Sequence, residues 1–374
     1  MNENFNNINW DEINEPDIHE EMLFAIRNLA SNNEDIRSES LSNLFDFIWH
    51  QGTLSPKSAF AVPFLIARLQ QETQAEILDE ILIMLTALGT GSSYCDAHQV
   101  LPIYEDRRNT VEFKERMEEE LNDVQATHTA VYKGINVYLD LLEHQSKDVR
   151  ISAVFALSCC RQNVARICSK LYTRFSCESD ELVKATIPLC LVHLSQCIPV
   201  QIAFLEEILK SNESDIVKLS AAVSLAYIAG EHMSDHALDV LINKLQKPDL
   251  LIKLCEHYDL SVATNGLIII DFFSRLNHRH IGIVISTLLK IEKISYMMDD
   301  LFELVFNEKI IPEGSFFRDL TDTEQLIIKA IVEDNTLDNV SYMGGFLDKL
   351  GGDGLVIKQK LIGFINGERL KYER

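Results

Sequence analysis

Glycine and proline are scarce in this chain of 374 residues, which contains 15 glycines and 8 prolines. That scarcity excludes a collagen-like chain, and an apolar content of 47% excludes an intrinsically disordered one. Basic residues are also outnumbered, because 34 Lys and Arg stand against 57 Asp and Glu, a formal net charge of −23. Nucleic-acid binding needs a basic face that neutralises phosphates, so this charge balance argues against it.

Long apolar runs are also missing. The first 21 residues contain no Lys or Arg and no apolar segment of the kind that marks a secretory leader. The most apolar uncharged stretch, residues 185–205, contains Pro188 and Pro199 and fits two buried helices better than a membrane span. The eight cysteines show no Cys-x-x-Cys spacing, which is typical of buried thiols in a reducing compartment. We therefore expect a cytoplasmic protein without a membrane partner.

The usual sequence signatures of catalysis and ligand binding are absent. The Gly/Ser segment 89–93 lacks the Lys-Ser/Thr that completes a phosphate loop, and no Gly-x-Ser-x-Gly turn is present. His232 and His236 have a spacing that could bind a metal on one helical face, but the residues between them look like a turn. The sequence therefore predicts a protein that is not an enzyme and has no metal or cofactor site.

Apolar residues recur at intervals of three and four, which is the helical pattern, and one unit of this pattern repeats every 34 residues. The repeat is clearest at Val149, Val183 and Val217, each followed by a basic residue. Aligned on these valines, Ser146, Asp180 and Ser214 occupy helix N-cap positions. The apolar residues that align after them are Ala153 and Leu157, Ile187 and Leu191, and Ala221 and Leu225.

Similar helical patterns extend over most of the chain. We expect a charged helix from residue 110 that continues to about Leu142, preceded by a loop over 90–108. Beyond Pro248 the pattern predicts helices near 260–275, 279–291 and 295–307. The predicted division is an acidic tail over 1–16, a helical-repeat array over 17–307 with an insertion near 90–126, and a helical cap over 308–374.

The repeated unit, Asp/Ser-x-x-Val-basic-x-x-small-x-x-x-Leu, resembles the second helix of HEAT repeats. Trp49–Thr53 and Ala61–Leu65, with the segment 320–325, are similar to a family of bacterial HEAT-repeat proteins. The period also matches tetratricopeptide repeats, but their Trp-x-x-Leu-Gly-x-x-Tyr pattern is absent. The resemblance covers about residues 20–350 and implies an all-α, right-handed α-solenoid of HEAT-like helix pairs that binds proteins and has no shared catalytic chemistry.

Polar positions beside the buried set of the second helices are the candidate partner-binding residues, because we expect them to be exposed on a concave face. They are Arg37, Glu39, Asp148, Arg150, Glu181, Lys184, Asp215 and Lys218. The basic members with the 34-residue period could instead pair with nearby carboxylates such as Asp148, Glu181 or Asp215, and the acidity of the chain favours that alternative. Acidic residues also cluster at 3–21 and 112–123, where Glu115, Glu118 and Glu119 could face a basic partner or only solubilise the chain.

The function that these features favour is non-catalytic protein binding, in a narrower form as an immunity or antitoxin protein that masks a basic toxin. Alkylpurine DNA glycosylases and bilin lyase subunits also have HEAT-like folds and are the alternatives, although a glycosylase needs a basic groove. The Trp49-His50-Gln51-Gly52 segment could be a functional box, but a helix end with a left-handed Gly52 is the favoured interpretation. The partner and the oligomeric state stay open.

Overall fold

The computed structural model describes residues 20–56, 58–99, 104, 106–194, 198–247, 249–250, 253–254, 272–290, 298–306, 309–333 and 345–372. Their regular secondary structure is almost entirely helical, which confirms the predicted all-α class. The strands among them are β1 (Trp49–His50) and β2 (Thr53–Leu54), which form one antiparallel hairpin. The predicted acidic tail and most of the predicted helix near 260–275 lie outside the described residues.

The described chain forms two compact units, one ending at Gln201 and the other beginning at Ile202, within a helix that spans Ile198–Lys210. The helices of the first unit are α1 (Glu20–Asn28), α2 (Glu34–Ile48), α3 (Ser58–Leu69), α4 (Ala75–Thr90), α5 (Tyr94–His98), α6 (Val111–Tyr132), α7 (Ile135–Leu141), α8 (Lys147–Ser158), α9 (Val164–Cys177) and α10 (Glu181–Leu191).

The second unit is also helical in its described part. The helix α11 (Ile198–Lys210) runs into it, followed by α12 (Asp215–Ala229), α13 (Asp235–Leu245), α14 (His278–Leu288), α15 (Met298–Phe306), α16 (Asp322–Glu333), α17 (Gly345–Asp348) and α18 (Gly354–Ile365). The helices α14 and α15 confirm the two predicted near 279–291 and 295–307. In the segment predicted as a cap, Thr321 and Glu324 exchange hydrogen bonds as a capping box at the start of α16.

The 34-residue repeat locates the starts of three helices correctly. The helices α8, α10 and α12 begin directly after Ser146, Asp180 and Ser214. Only Asp180 caps with its side chain, accepting hydrogen bonds from the N–H groups of Leu182 at 2.9 Å and Val183 at 3.2 Å. A periodic apolar pattern together with an N-cap position was therefore sufficient to define these elements.

Four helices of the first unit pack on one another in chain order. The helix α2 packs on α4, α4 on α8 and α8 on α10. Since α8 has neighbours on two sides and also packs on α7, every residue from Ile151 to Ser158 is buried. Among the described residues, no helix is both long and apolar enough to cross a membrane.

The region before α8 differs from the prediction in two places. The expected loop over 90–108 contains the short helix α5, whose N-cap Ser93 accepts a hydrogen bond from the N–H of Asp96. The charged helix α6 ends at Tyr132 and does not continue to Leu142, because the chain turns at Gly134 and starts α7. A Cβ at Gly134 would lie 2.3 Å from the Tyr138 hydroxyl, which donates to the carbonyl of Val131.

Candidate protein-interaction surface

Arg37 is not an exposed position, so that part of the surface prediction is wrong. Its guanidinium donates to both carboxylate oxygens of Glu72, at 2.8 and 3.2 Å, and to the carbonyl of Ser31 at 2.9 Å. Arg68 lies one helical turn before Glu72 and binds the same carboxylate at 2.9 Å. The Glu72 side chain is completely buried, which leaves Arg37 and Arg68 to compensate its charge inside the protein.

Arg150 lies in a second cluster of the same design. It donates to both oxygens of Glu178, at 2.8 and 3.0 Å, and to the carbonyl of His144, while Arg174 binds Glu178 from one turn earlier. Burial raises the pKa of Glu178, but the N–H of Asp180, Arg150 and the N–H of Ser179 outweigh it and hold that pKa below its ordinary value. Arg150 is therefore a structural residue, as the pairing alternative predicted, although its partner is Glu178 and not Asp148.

We call these two clusters the Arg–Glu–Arg nodes, Arg37–Glu72–Arg68 and Arg150–Glu178–Arg174. In each node the first arginine follows a helix N-cap by four residues, and the glutamate precedes the next N-cap by two. The glutamate accepts two backbone N–H groups there, from Thr73 and Gln74 in one node. Each node thus fixes one second helix to the loop that starts the following one.

The other predicted positions lie in different settings. Asp215 binds Lys244 and Lys247 within the second unit, and those hydrogen bonds lower its pKa to about 2. The ammonium of Lys184 lies over the Phe175 ring, 5.1 Å from its centroid, and Lys218 is half-buried. The positions that are exposed on their helices are Glu39, Asp148, Glu181, Glu115, Glu118 and Glu119.

An open groove lies between α2 and α4. Its walls are Leu41, Ser42 and Phe45 from α2 and Glu80, Ile83 and Met84 from α4. The groove has a volume of about 210 Å³, which is smaller than a pocket for a drug-sized ligand. Leu41 and Met84 are buried, whereas Ser42 and Glu80 are exposed, so the groove has an apolar floor and a polar rim.

Three neighbouring carboxylates, Glu80 in the groove wall and Asp79 and Asp148 toward α8, form what we call the acidic rim. Burial raises the pKa of Asp79 against a 2.5 Å hydrogen bond from Ser152, and the charge of Asp148 raises it further. Burial also raises the pKa of Glu80, against a hydrogen bond from Ser38 and with a contribution from Asp79. In the described part of the chain, none of the three forms an ion pair with Lys or Arg.

None of the predicted residues lines this groove, although the charge of Asp148 acts on Asp79, which is next to the groove residue Glu80 in the sequence. Sequence analysis missed Asp79, Glu80 and the apolar walls. One signal was available, since Asp79 and Glu80 are adjacent carboxylates in the second turn of the largely apolar helix α4. Carboxylates in an apolar helix need a polar partner or a path to solvent. No sequence pattern indicates the groove itself, because its wall residues Phe45 and Ile83 belong to different helices.

The Trp49-His50-Gln51-Gly52 segment is a β-hairpin and not the end of α2. Gln51 and Gly52 have φ angles of 47° and 86°, as the two central residues of a type I′ turn require. The prediction of a left-handed Gly52 is confirmed, but α2 already ends at Ile48. Ser92 donates its N–H to the carbonyl of Gly52 and accepts from the N–H of Leu54, both at 2.9 Å. The hairpin therefore fixes the segment that follows α4.

Metal-ligating residues do not assemble into a site in the described part of the chain. No group of three His, Cys, Asp or Glu side chains there could hold a metal ion. His232 is exposed before α13 and His236 lies within it. Cys95 lies 3.4 Å from a carboxylate oxygen of Glu120, but burial and that carboxylate raise the pKa of its thiol. Such a thiol is a weak nucleophile.

Comparisons with known proteins do not assign a family. No protein-family model matches the chain, and no curated protein matches it. A crystal structure of an engineered protein from the Northeast Structural Genomics Consortium aligns with 94% of this chain and 100% of its own, at 16% identity. Its TM-score of 0.29 is too low to establish a common fold.

Proposed function

We propose that this protein is a non-catalytic protein-binding module built as a HEAT-like α-solenoid. Support for the architecture comes from the 34-residue repeat and from the consecutive packing of α2, α4, α8 and α10 in the first unit. The two Arg–Glu–Arg nodes support it too, because equivalent contacts at equivalent helix positions are what a repeated unit produces.

The observation that carries the functional proposal is the groove between α2 and α4 with its acidic rim. A groove with an apolar floor is suited to a partner side chain, and the rim carboxylates have no cation of their own in the described chain. A basic protein partner would supply that cation, and the net charge of −23 would speed its association. In the narrower form of the proposal, the partner is a basic toxin that this protein masks.

Co-expression with the product of the neighbouring reading frame tests the proposal. We expect the two proteins to elute together in size-exclusion chromatography, and a toxic product to lose its toxicity in the presence of this chain. The matched control is a chain in which Asp79, Glu80 and Asp148 are changed to Asn, Gln and Asn, because these changes neutralise the rim without adding bulk. Absence of a complex with the unchanged protein would contradict the proposed function.

A further inference from the structure

The groove between α2 and α4 restricts what the partner can be, and this deduction rests on the proposed function. We infer that it takes a basic amphipathic segment of a protein, whose apolar side chain enters between Phe45 and Ile83 while a Lys or Arg pairs with Glu80. The shape of the groove and the charge beside it select different parts of this segment.

Shape indicates an inserted side chain. Two helices wall the groove, and four of its six lining residues are apolar. Phe45 and Ile83 are only half-buried, so their apolar surface is available to a partner. Burial of such surface is favourable, so an apolar anchor would contribute to affinity. Recognition of an amphipathic segment by a groove between two helices is a common mode of peptide binding.

Charge selects the residues that flank the anchor. The exposed carboxylate of Glu80 accepts from the Ser38 hydroxyl at 3.3 Å to each oxygen, which is a long hydrogen bond to a neutral group. Asp79 and Glu80 are adjacent on α4, and the negative charges of Asp79 and Glu80, and of Asp148 and Asp79, repel each other. A lysine or arginine beside the anchor would relieve this repulsion, whereas an acidic segment would increase it.

The same argument disfavours the other occupants. A second copy of this chain would bring another net charge of −23 to the surface, and electrostatic repulsion would oppose that association. An uncharged small molecule could fill the groove, but it would leave the acidic rim unneutralised. A basic protein segment is the occupant that satisfies both the apolar floor and the rim.

Tryptophan fluorescence provides a direct test, because Trp49 stacks on the groove residue Phe45 with ring centroids 4.9 Å apart. The chain contains two tryptophans, so Trp10→Phe leaves Trp49 as the only reporter. The probe is an acetylated, amidated lysine peptide with leucines at i, i+3, i+4 and i+7. We expect saturable quenching or a spectral shift that weakens when salt is added. Replacement of the leucines by alanine, or of the lysines by glutamate, should weaken binding at least about tenfold.

Occlusion of the groove provides the second arm. Ser42→Tyr places a ring at the exposed rim and should weaken peptide binding about tenfold, while Asn43→Tyr on the next exposed position of α2 should leave it unchanged. Glu80→Gln should weaken peptide binding about threefold. Glu207→Gln removes the same charge from an exposed position of α11 and should leave peptide binding unchanged. Circular dichroism of each variant would establish that the helices are retained.

Each outcome bears on the inference. Failure of the lysine–leucine peptide to bind, equal binding of its alanine version, or unchanged binding to Ser42→Tyr would overturn the groove assignment. If Ser42→Tyr still forms the complex with the co-expressed neighbouring product, the groove assignment fails while the proposed function stands. If the unchanged chain binds the peptide but forms no such complex, the groove stands and the proposed function fails. Dimerisation that Ser42→Tyr abolishes would identify a second copy as the occupant and would also overturn the inference.

Discussion

Glu178 lies at the centre of an Arg–Glu–Arg node and illustrates how much a single residue can contribute to the stability of the fold. Its carboxylate is fully buried between Arg150 and Arg174 and also accepts two backbone N–H groups. Buried ion clusters of this kind are no more stable than a well-packed apolar core. Loss of one member, however, leaves the remaining charges buried and uncompensated.

We therefore expect Glu178→Gln to lower the free energy of unfolding of the first unit by about 3 kcal/mol. The matched control is Glu143→Gln, because Glu143 binds the same Arg174 at 2.8 Å through a side chain that is 72% exposed. Exposed pairs contribute less than about 1 kcal/mol, so the control should change little. Urea denaturation followed by circular dichroism measures both, and equal effects of the two substitutions would contradict a structural role for the node.

Asp79 differs from Glu178, because its pKa is raised above the ordinary value. The partly buried charge of Asp79 therefore opposes folding. A group with a raised folded pKa binds more protons in the folded state, so stability falls as the pH rises through and above 3.8. Asp79→Asn keeps an acceptor for Ser152 and should stabilise the protein by about 0.5 kcal/mol at pH 7. The gain should disappear near pH 3, where Asp79 is protonated.

The control for Asp79 is Asp140→Asn, which removes the same charge from an exposed position on α7. Thermal denaturation at the two pH values separates local burial from the general relief of negative charge. A stabilising effect of equal size for both substitutions, or one that persists at pH 3, would mean that the environment of Asp79 is not the cause.

At the level of elements, the N-caps explain why the repeat was predictable from the sequence. The starts of α8, α10 and α12 follow from apolar periodicity and from a residue type that suits the N-cap position, and both are local properties, although only Asp180 caps with its side chain. The β-hairpin was not predictable in the same way, because its strands have two residues each and its turn uses Gln51-Gly52 where Asn-Gly is the usual signal. The break between α6 and α7 depends on the packing of Tyr138, which is a tertiary contact.

The caps also lead to a prediction, because aligned positions do not contribute equally. Asp180→Ala removes the side-chain acceptor for two N–H groups of α10 and should destabilise the first unit by about 1 kcal/mol. Ser146→Ala at the equivalent position of α8 removes no side-chain cap, so the expected change is below about 0.5 kcal/mol. Hydrogen exchange in the first turns of α8 and α10 would localise the effect. Equal losses would show that both side chains cap in solution.

For the whole molecule, sequence analysis predicted that the basic residues with the 34-residue period could pair with carboxylates, and Arg150 does so, although with Glu178 and not with Asp148. Arg37 and Glu72 are 35 residues apart, whereas Arg150 and Glu178 are 28 apart. Because the intervening helices and loops differ in length, the nodes have no common period that a sequence comparison could detect. The groove could not be predicted from the sequence either, because it exists only through the packing of α2 against α4.

The last prediction compares two sets of acidic residues in the first unit. Glu115, Glu118 and Glu119 on α6 and the acidic rim on α4 and α8 are two sets of three carboxylates. Neutralisation of either set by Asn or Gln changes the net charge from −23 to −20, because three negative charges are lost. Long-range electrostatic attraction of a basic partner should therefore weaken by a similar amount in both variants. Any difference in affinity between the two variants must then come from local contacts.

Against the basic partner in a surface-binding assay, we expect neutralisation of the rim to raise the dissociation constant at least about tenfold, mostly through faster dissociation. The α6 variant should change it less than about threefold, mainly through slower association that high salt removes. Asp79→Asn should stabilise the fold, so weaker binding by the rim variant would not reflect unfolding. If the α6 variant loses more affinity, the docking surface is the charged helix that sequence analysis had already singled out, and the groove is not the site.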